Sequence, residues 1–211
     1  MAKTYAGKDI EIGFDMKRCI HARNCFLKLP QVFDPSQRPW VSPDAASAEE
    51  IAAMVRTCPS GALTYHRLDD AADEAAPGIN RATTIENGPL ALHGNLNVGG
   101  EPMLRATLCR CGQTKTPPFC DHSHADAGFQ ATGEPEPAGK DAAGDDASEE
   151  VTVIPHENGP IEAKGPLEIT GGSGKRVHQG QRAFLCRCGA SKNKPFCDGS
   201  HKAIPFEVPG G

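Results

Sequence analysis

One sixteen-residue sentence occurs twice in this 211-residue chain, and it constrains the fold more than any other feature. The first copy reads Cys109-Arg-Cys111-Gly-Gln-Thr-Lys-Thr-Pro-Pro-Phe-Cys120-Asp-His-Ser-His124. The second reads Cys186-Arg-Cys188-Gly-Ala-Ser-Lys-Asn-Lys-Pro-Phe-Cys197-Asp-Gly-Ser-His201. Both are C-x-C, eight residues, C, three residues, H, with Arg, Gly, a hydroxyl, Lys, Pro and Phe in register. Three soft thiolates and an imidazole so tightly spaced form a ligand set for iron–sulfur or zinc and argue against disulfides. Cys109, Cys111, Cys120 and His124 are candidate ligands, as are Cys186, Cys188, Cys197 and His201.

The nine cysteines fall into three groups of three, the third group being Cys19, Cys25 and Cys58. A disulfide framework favours an even count, so metal ligation accounts better for them. Metal-bound thiolates need a reducing compartment, and the sequence has no apolar leader and no run long enough to span a membrane. The expectation is a cytoplasmic protein without a membrane partner. Residues 134–150 hold 7 acidic and 1 basic side chains, and 69–80 hold 4 acidic and none basic. The net charge of −5 therefore belongs to connectors and says little about partners. No dense basic stripe with interleaved aromatics is present, which argues against nucleic-acid binding.

The connectors divide the chain into an N-terminal unit (1–68), a linker (69–80), a first repeat (81–133), an acidic linker expected to be flexible (134–150) and a second repeat (151–211). Glu86-Asn-Gly-Pro89 recurs as Glu157-Asn-Gly-Pro160, and Phe129 and Phe206 each follow the third cysteine of their copy by nine residues. Short strands are predicted over 90–93, 95–98 and 104–108, then over 161–164, 167–170 and 182–185, with 171–180 as a longer hairpin loop. A unit this small can hardly bury a core alone, so the copies are expected to pack face to face. The N-terminal unit reads as α+β. Residues 10–14 alternate like a strand, Ser47-Ala-Glu-Glu50 is a capping box opening a helix with Ala48, Ile51, Ala52 and Val55 on its apolar face, and 62–65 is a strand. The helix is expected to end at Cys58-Pro59.

The paired motifs resemble the CDGSH iron–sulfur domain family, also called NEET proteins, over roughly residues 80–133 and 151–208. The second copy contains Cys197-Asp-Gly-Ser-His201 letter for letter. The resemblance implies one [2Fe–2S] cluster per copy, with Cys109 and Cys111 on one iron and Cys120 and His124 on the other; Cys186, Cys188, Cys197 and His201 repeat this. Members with one motif are homodimers, so a tandem chain implies a monomer with an internal pseudo-dimer, a small mostly-β sandwich. Thr114 and Ser191 stand where a hydroxyl is expected to bond a sulfur. The first copy departs from the pattern with His122 in place of glycine, at a backbone position expected to need positive φ.

Residues 9–68 resemble divergent single-cluster ferredoxins through Cys19-Ile-His-Ala-Arg-Asn-Cys25, Val32-Phe-Asp34 and Cys58-Pro-Ser-Gly-Ala-Leu63. The ordinary layout is C-x2-C-x2-C with a distant C-P. Here the middle position is Ala22, which favours [3Fe–4S] on three thiolates; His21, one residue away, is the alternative fourth ligand for [4Fe–4S]. Zinc remains an alternative for the tandem sites and buried free thiols for the third group. The chain contains no Ser–His–acid grouping, and Gly171-Gly-Ser-Gly-Lys-Arg lacks the second half of a P-loop. The expected function is electron transfer or redox relay by a non-enzyme, with an unidentified redox partner protein. The alternative is a cluster carrier or a redox or pH sensor that delivers clusters to an apo-acceptor protein.

Overall fold

The computed structural model describes residues 2–138 and 149–210. Two compact units divide at Ala75 and Ala76. Residues 139–148, most of the acidic linker, lie outside the described residues. The linker's first residues are tied down: Glu134 accepts from the Ser173 amide and hydroxyl, and the Ala138 amide bonds the Val177 carbonyl. No helix among the described residues is long and apolar enough to cross a membrane.

In the N-terminal unit, β1 (Lys3–Ala6), β2 (Ile10–Phe14) and β3 (Leu63–Arg67) form an antiparallel sheet with β2 in the centre. Ile10, Ile12 and Phe14 alternate inward, and Ile12 pairs with both Tyr5 and Tyr65. The helices are α1 (Asn24–Lys28) and α2 (Ala48–Val55). Ser47 and Glu50 form the capping box, with the Glu50 amide on Ser47 Oγ at 3.3 Å and the Ser47 amide on Glu50 Oε2 at 3.0 Å. α2 buries Ile51, Ala52, Met54 and Val55 against the sheet. Trp40 packs edge-on to Phe14 in the same core. The sequence pattern misses β1 and α1, because both are short and carry little apolar periodicity.

The larger unit is mostly β: β4 (Arg81–Thr84), β5 (Leu90–Val98), β6 (Glu101–Leu108), β7 (Val151–Pro155), β8 (Ile161–Thr170) and β9 (Arg176–Leu185), with one-turn α3 (Ser123–Asp126). Each copy is a hairpin, β5–β6 or β8–β9, preceded by a short strand. The short strands are shared. β4 pairs antiparallel with β5 of its own copy and parallel with β8 of the other; β7 pairs antiparallel with β8 and parallel with β5. One hydrophobic core results, with Leu90, Leu92, Leu96 and Leu108 beside Val153, Ile161, Ile169 and Leu185.

Two corrections to the strand reading follow. The pairs 90–93 and 95–98, and 161–164 and 167–170, are single strands, because the register slips between His93 and Leu96 and between Lys164 and Leu167 without breaking the ladder. The loop expected over 171–180 is shorter: β9 begins at Arg176, where Val177 turns into the core and His178 pairs with Ile169.

Candidate metal centres

Each tandem site is a hairpin end folded back on itself. After β6 the chain leaves at Cys109 and returns beside it: the Cys109 amide donates to Pro118 O at 2.9 Å, and the Cys120 amide to Thr107 O at 2.9 Å. After β9, Cys186 and Cys197 make the same contacts with Pro195 and Phe184, both at 2.8 Å. A left-handed residue then starts one helical turn: His122 at φ 76° before α3, and Gly199 at φ 86° before the 3-10 turn Ser200–Ala203. That turn swings the last histidine onto the third cysteine. The expected positive φ at 122 is present, and the exposed imidazole there lies edge-on to His124 at 4.8 Å.

The donors come together two by two. Cys109 and Cys111 sulfurs are 3.6 Å apart, and Cys120 Sγ is 3.3 Å from His124 Nδ1. The corresponding distances in the second copy are 3.8 Å and 3.4 Å. Two thiolates on one tetrahedral metal, each at ~2.3 Å, stand about 3.8 Å apart. The cysteine pairs therefore stand at the spacing that one metal would bridge. Among the described residues no three His, Cys, Asp or Glu side chains are arranged to hold a single ion. The four donors of each copy thus approach one another two by two.

Backbone amides point at the sulfurs. Gly112 N donates to Cys109 Sγ at 3.3 Å, Gln113 N to Cys111 Sγ at 3.4 Å, and the amides of His122 and Gly199 to Cys120 and Cys197 at 3.4 Å. Such donors stabilise anionic sulfur. The hydrogen bond from Cys111 lowers the Cys109 thiol below its ordinary value and raises Cys111 in turn. Burial pushes Cys120 up to about 11 and raises Cys186 as well, so their deprotonation is coupled to metal binding. Burial, then the neighbouring His122, lowers the His124 pKa and favours the neutral imidazole that a ligand must be.

The hydroxyls do not meet the expectation set for them. Thr114 Oγ1 donates to Phe119 O at 2.6 Å and accepts from the Thr116 amide; Ser191 Oγ donates to Phe196 O at 2.7 Å and accepts from Asn193. They brace the loop, and it is the backbone N–H of Thr114 and Ser191 that faces Cys109 and Cys186.

Two supporting roles escaped the sequence reading, although identity between the copies marks both. Asp121 and Asp198 clasp each loop, accepting from Lys115 and Ser123 or from Lys192 and Ser200 amides at 2.8–3.0 Å. Burial works to raise Asp121, but the Ser123 and Lys115 donors outweigh it and hold the carboxyl at about 2. Arg110 is buried and donates to the carbonyls of Gly88, Ile85 and Thr132 while lying over Phe129. Arg187 does the same with Gly159, His156 and Pro209 over Phe206. The matched Glu-Asn-Gly-Pro turns and phenylalanines are thus the seats of the two arginines.

In the N-terminal unit, Cys19 ends the 3-10 turn Met16–Arg18, Cys25 lies in α1, and Cys58 follows α2. Charge interactions link the three half-buried sulfurs. Burial, chiefly, raises Cys19 and Cys25; the charge of Cys58 adds to both, and that of Cys19 adds to Cys25. The His21 amide points at Cys19, and residues 21 and 22 are exposed. Left-handed His21 and Arg23 turn the loop, and Asn24 Nδ2 fastens it to Thr57 O at 2.7 Å.

The comparisons with known proteins follow the same division. The family model described as a divergent 4Fe-4S mono-cluster matches residues 5–68. The model described as an iron-binding zinc finger of CDGSH type matches residues 87–125 and 158–202. Uncharacterized protein YjdI of Escherichia coli K12 is 33% identical over 63 residues, which is 30% of this chain and 83% of that protein; its counterpart in Escherichia coli O157:H7 matches equally. No solved structure matches the chain.

Proposed function

Since the chain belongs to the CDGSH iron–sulfur family, in a tandem form with an N-terminal divergent mono-cluster unit, we propose that it is a non-enzymatic electron-transfer protein or redox relay. The carrying observation is the two-by-two donor arrangement in both copies. Cys109, Cys111, Cys120 and His124 hold one [2Fe–2S] cluster in this reading, and Cys186, Cys188, Cys197 and His201 a second. Cys19, Cys25 and Cys58 hold the third cluster. Three thiolates favour [3Fe–4S], whereas the family's description as 4Fe-4S favours a fourth ligand, for which His21 is the candidate.

Such clusters supply reversible one-electron storage when bound. The chain's own groups supply the rest. The amides on the sulfurs favour the anionic cluster, the Asp clasps fix the loops, and the buried backbone around Cys109 and Cys186 limits water access. His124 and His201 are half-buried at the rim, and His201 borders an open cleft of about 520 Å³ with Phe184 and Phe206. A redox partner protein reaches the clusters from this side. The reciprocal pairing of β4 and β7 supports an intrachain pseudo-dimer that works as a monomer, and thiolate ligands of this kind suit the reducing cytoplasm.

Half-buried histidine ligands also favour a second reading, a cluster carrier or sensor, because the imidazole is the ligand that protonation releases. Iron and sulfide analysis with EPR on anaerobically purified protein tests the common premise; stoichiometric zinc without sulfide would overturn it. Reversible reduction with the clusters retained marks electron transfer, whereas rapid delivery of iron and sulfide to an apo-ferredoxin marks the carrier.

A further inference from the structure

The two metal loops of the tandem unit touch. Cys111 and Cys188, one donor from each copy, form an antiparallel backbone bridge. Gly112 and Gly189 follow at φ +80° and +82°. A Cβ on Gly112 would lie 2.6 Å from the Cys188 carbonyl oxygen, and one on Gly189 would lie 2.5 Å from that of Cys111. Each loop thus takes its shape against the backbone of the other.

The buried arginines share this reciprocity. Each bonds the carbonyls of its own copy. Burial works to lower both guanidinium groups, and against it the charge of Cys186 raises Arg110, together with Glu86 of its own copy, while that of Cys109 raises Arg187. Arg187 Nη1 is buried and has no acceptor among the described residues. A buried charged donor left unpaired is costly, and an anionic sulfur is the kind of acceptor it lacks.

Resting on the reading that each copy holds a [2Fe–2S] cluster, we propose that the interlocked loops tune each other in trans: Arg187 sets the reduction potential of the first copy's cluster, and Arg110 that of the second's. Reduction adds negative charge to the cluster. A fixed guanidinium in a site of low dielectric stabilises that form more than the oxidised one and raises the potential. Arginine suits the role because it stays charged when buried. Its carbonyl partners and the phenylalanine beneath hold it in place, so both arginines are positioning residues.

The test uses the full holo-protein. His201→Cys gives the second cluster four thiolates and separates its EPR signal from that of the histidine-ligated first cluster. In that background Arg187→Gln removes the charge but keeps an amide donor, and Arg187→Lys keeps the charge. The proposal expects the Gln variant to lower the potential of the first cluster more than that of the second, and the Lys variant to restore most of the loss. No shift, an equal shift in both, or a shift confined to the second cluster overturns it. Arg110→Gln with His124→Cys is the mirror experiment.

Should the arginine variants fail to fold, Gly112→Ala decides. Its methyl group meets the Cys188 carbonyl, so the second cluster should be lost several-fold faster although none of its ligands has changed. Gly128→Ala is the control, equally left-handed at φ +60° but with nothing within 4 Å. Equal effects of the two variants on the second cluster, or no effect of either, overturn the proposal. A wild-type chain without sulfide-containing clusters overturns the functional reading itself; clusters present without the trans effects overturn only this inference.

Discussion

Histidine and aspartate divide the acid response of each tandem site between them. A carboxyl whose folded pKa is depressed contributes stability that is complete above its unfolded value and is lost as pH falls through the folded one. For Asp121 that window runs from the ordinary 3.8 down to about 2, and Asp198 is lowered in the same direction by Ser200, then by the Lys192 amide. The clasps therefore survive the range near pH ~6.5 in which a free imidazole takes up its proton. Cluster loss between neutrality and pH ~5 is expected to come from the histidines. His201→Cys should retain the second cluster across that range and lower its potential, as followed by visible absorbance against pH; identical loss in wild type and variant would sink the assignment. Ser191→Ala separates bracing from tuning. It takes the hydroxyl partner from the Phe196 carbonyl and the Asn193 amide in a part-buried loop, at a cost of about 1 kcal/mol. Thermal unfolding should register that cost while the potential of the second cluster stays put, because the hydroxyl does not touch sulfur.

At the scale of elements, the short strands β4 and β7 join the copies, and Asn80 secures the entry to β4. It is fully buried, accepts from the Asn95 amide of β5 at 2.7 Å, and donates to Pro166 O of β8 at 3.1 Å. Asn80→Ala leaves those groups unpaired and should destabilise the tandem unit by about 1–3 kcal/mol. Chemical denaturation should show this while the absorbance of the N-terminal cluster persists. None of this was legible in the chain: Arg-Ala-Thr-Thr over 81–84 is too short and polar to read as a strand, and half its partners lie in the other copy. The hairpins were legible, because Leu90, Leu92 and Leu96 or Ile161, Ala163 and Leu167 keep strand alternation on either side of a bulge.

For the molecule as a whole, the iron content of the N-terminal unit turns on one position of its first loop. Ala22 has no donor atom at the place where the ferredoxin layout has its fourth ligand. If three thiolates hold [3Fe–4S], the oxidised protein is EPR-active from that centre, and Ala22→Cys converts it to an EPR-silent oxidised [4Fe–4S] centre with one iron more per chain. A wild type that already carries the additional iron and loses it in His21→Ala would instead make His21 the ligand. The sequence by itself determined which thiols and imidazoles lie within reach of one another in each tandem loop, because a spacing of two to four residues lets one turn close. It also determined the α+β character of the first unit, through a capping box and alternation that act locally. Tertiary structure decided what long-range contact governs: the shared strands β4 and β7, the bridge between Cys111 and Cys188, and the seats of the two buried arginines on distant carbonyls. Those contacts join groups far apart in the chain, and only packing around a common core brings them within reach.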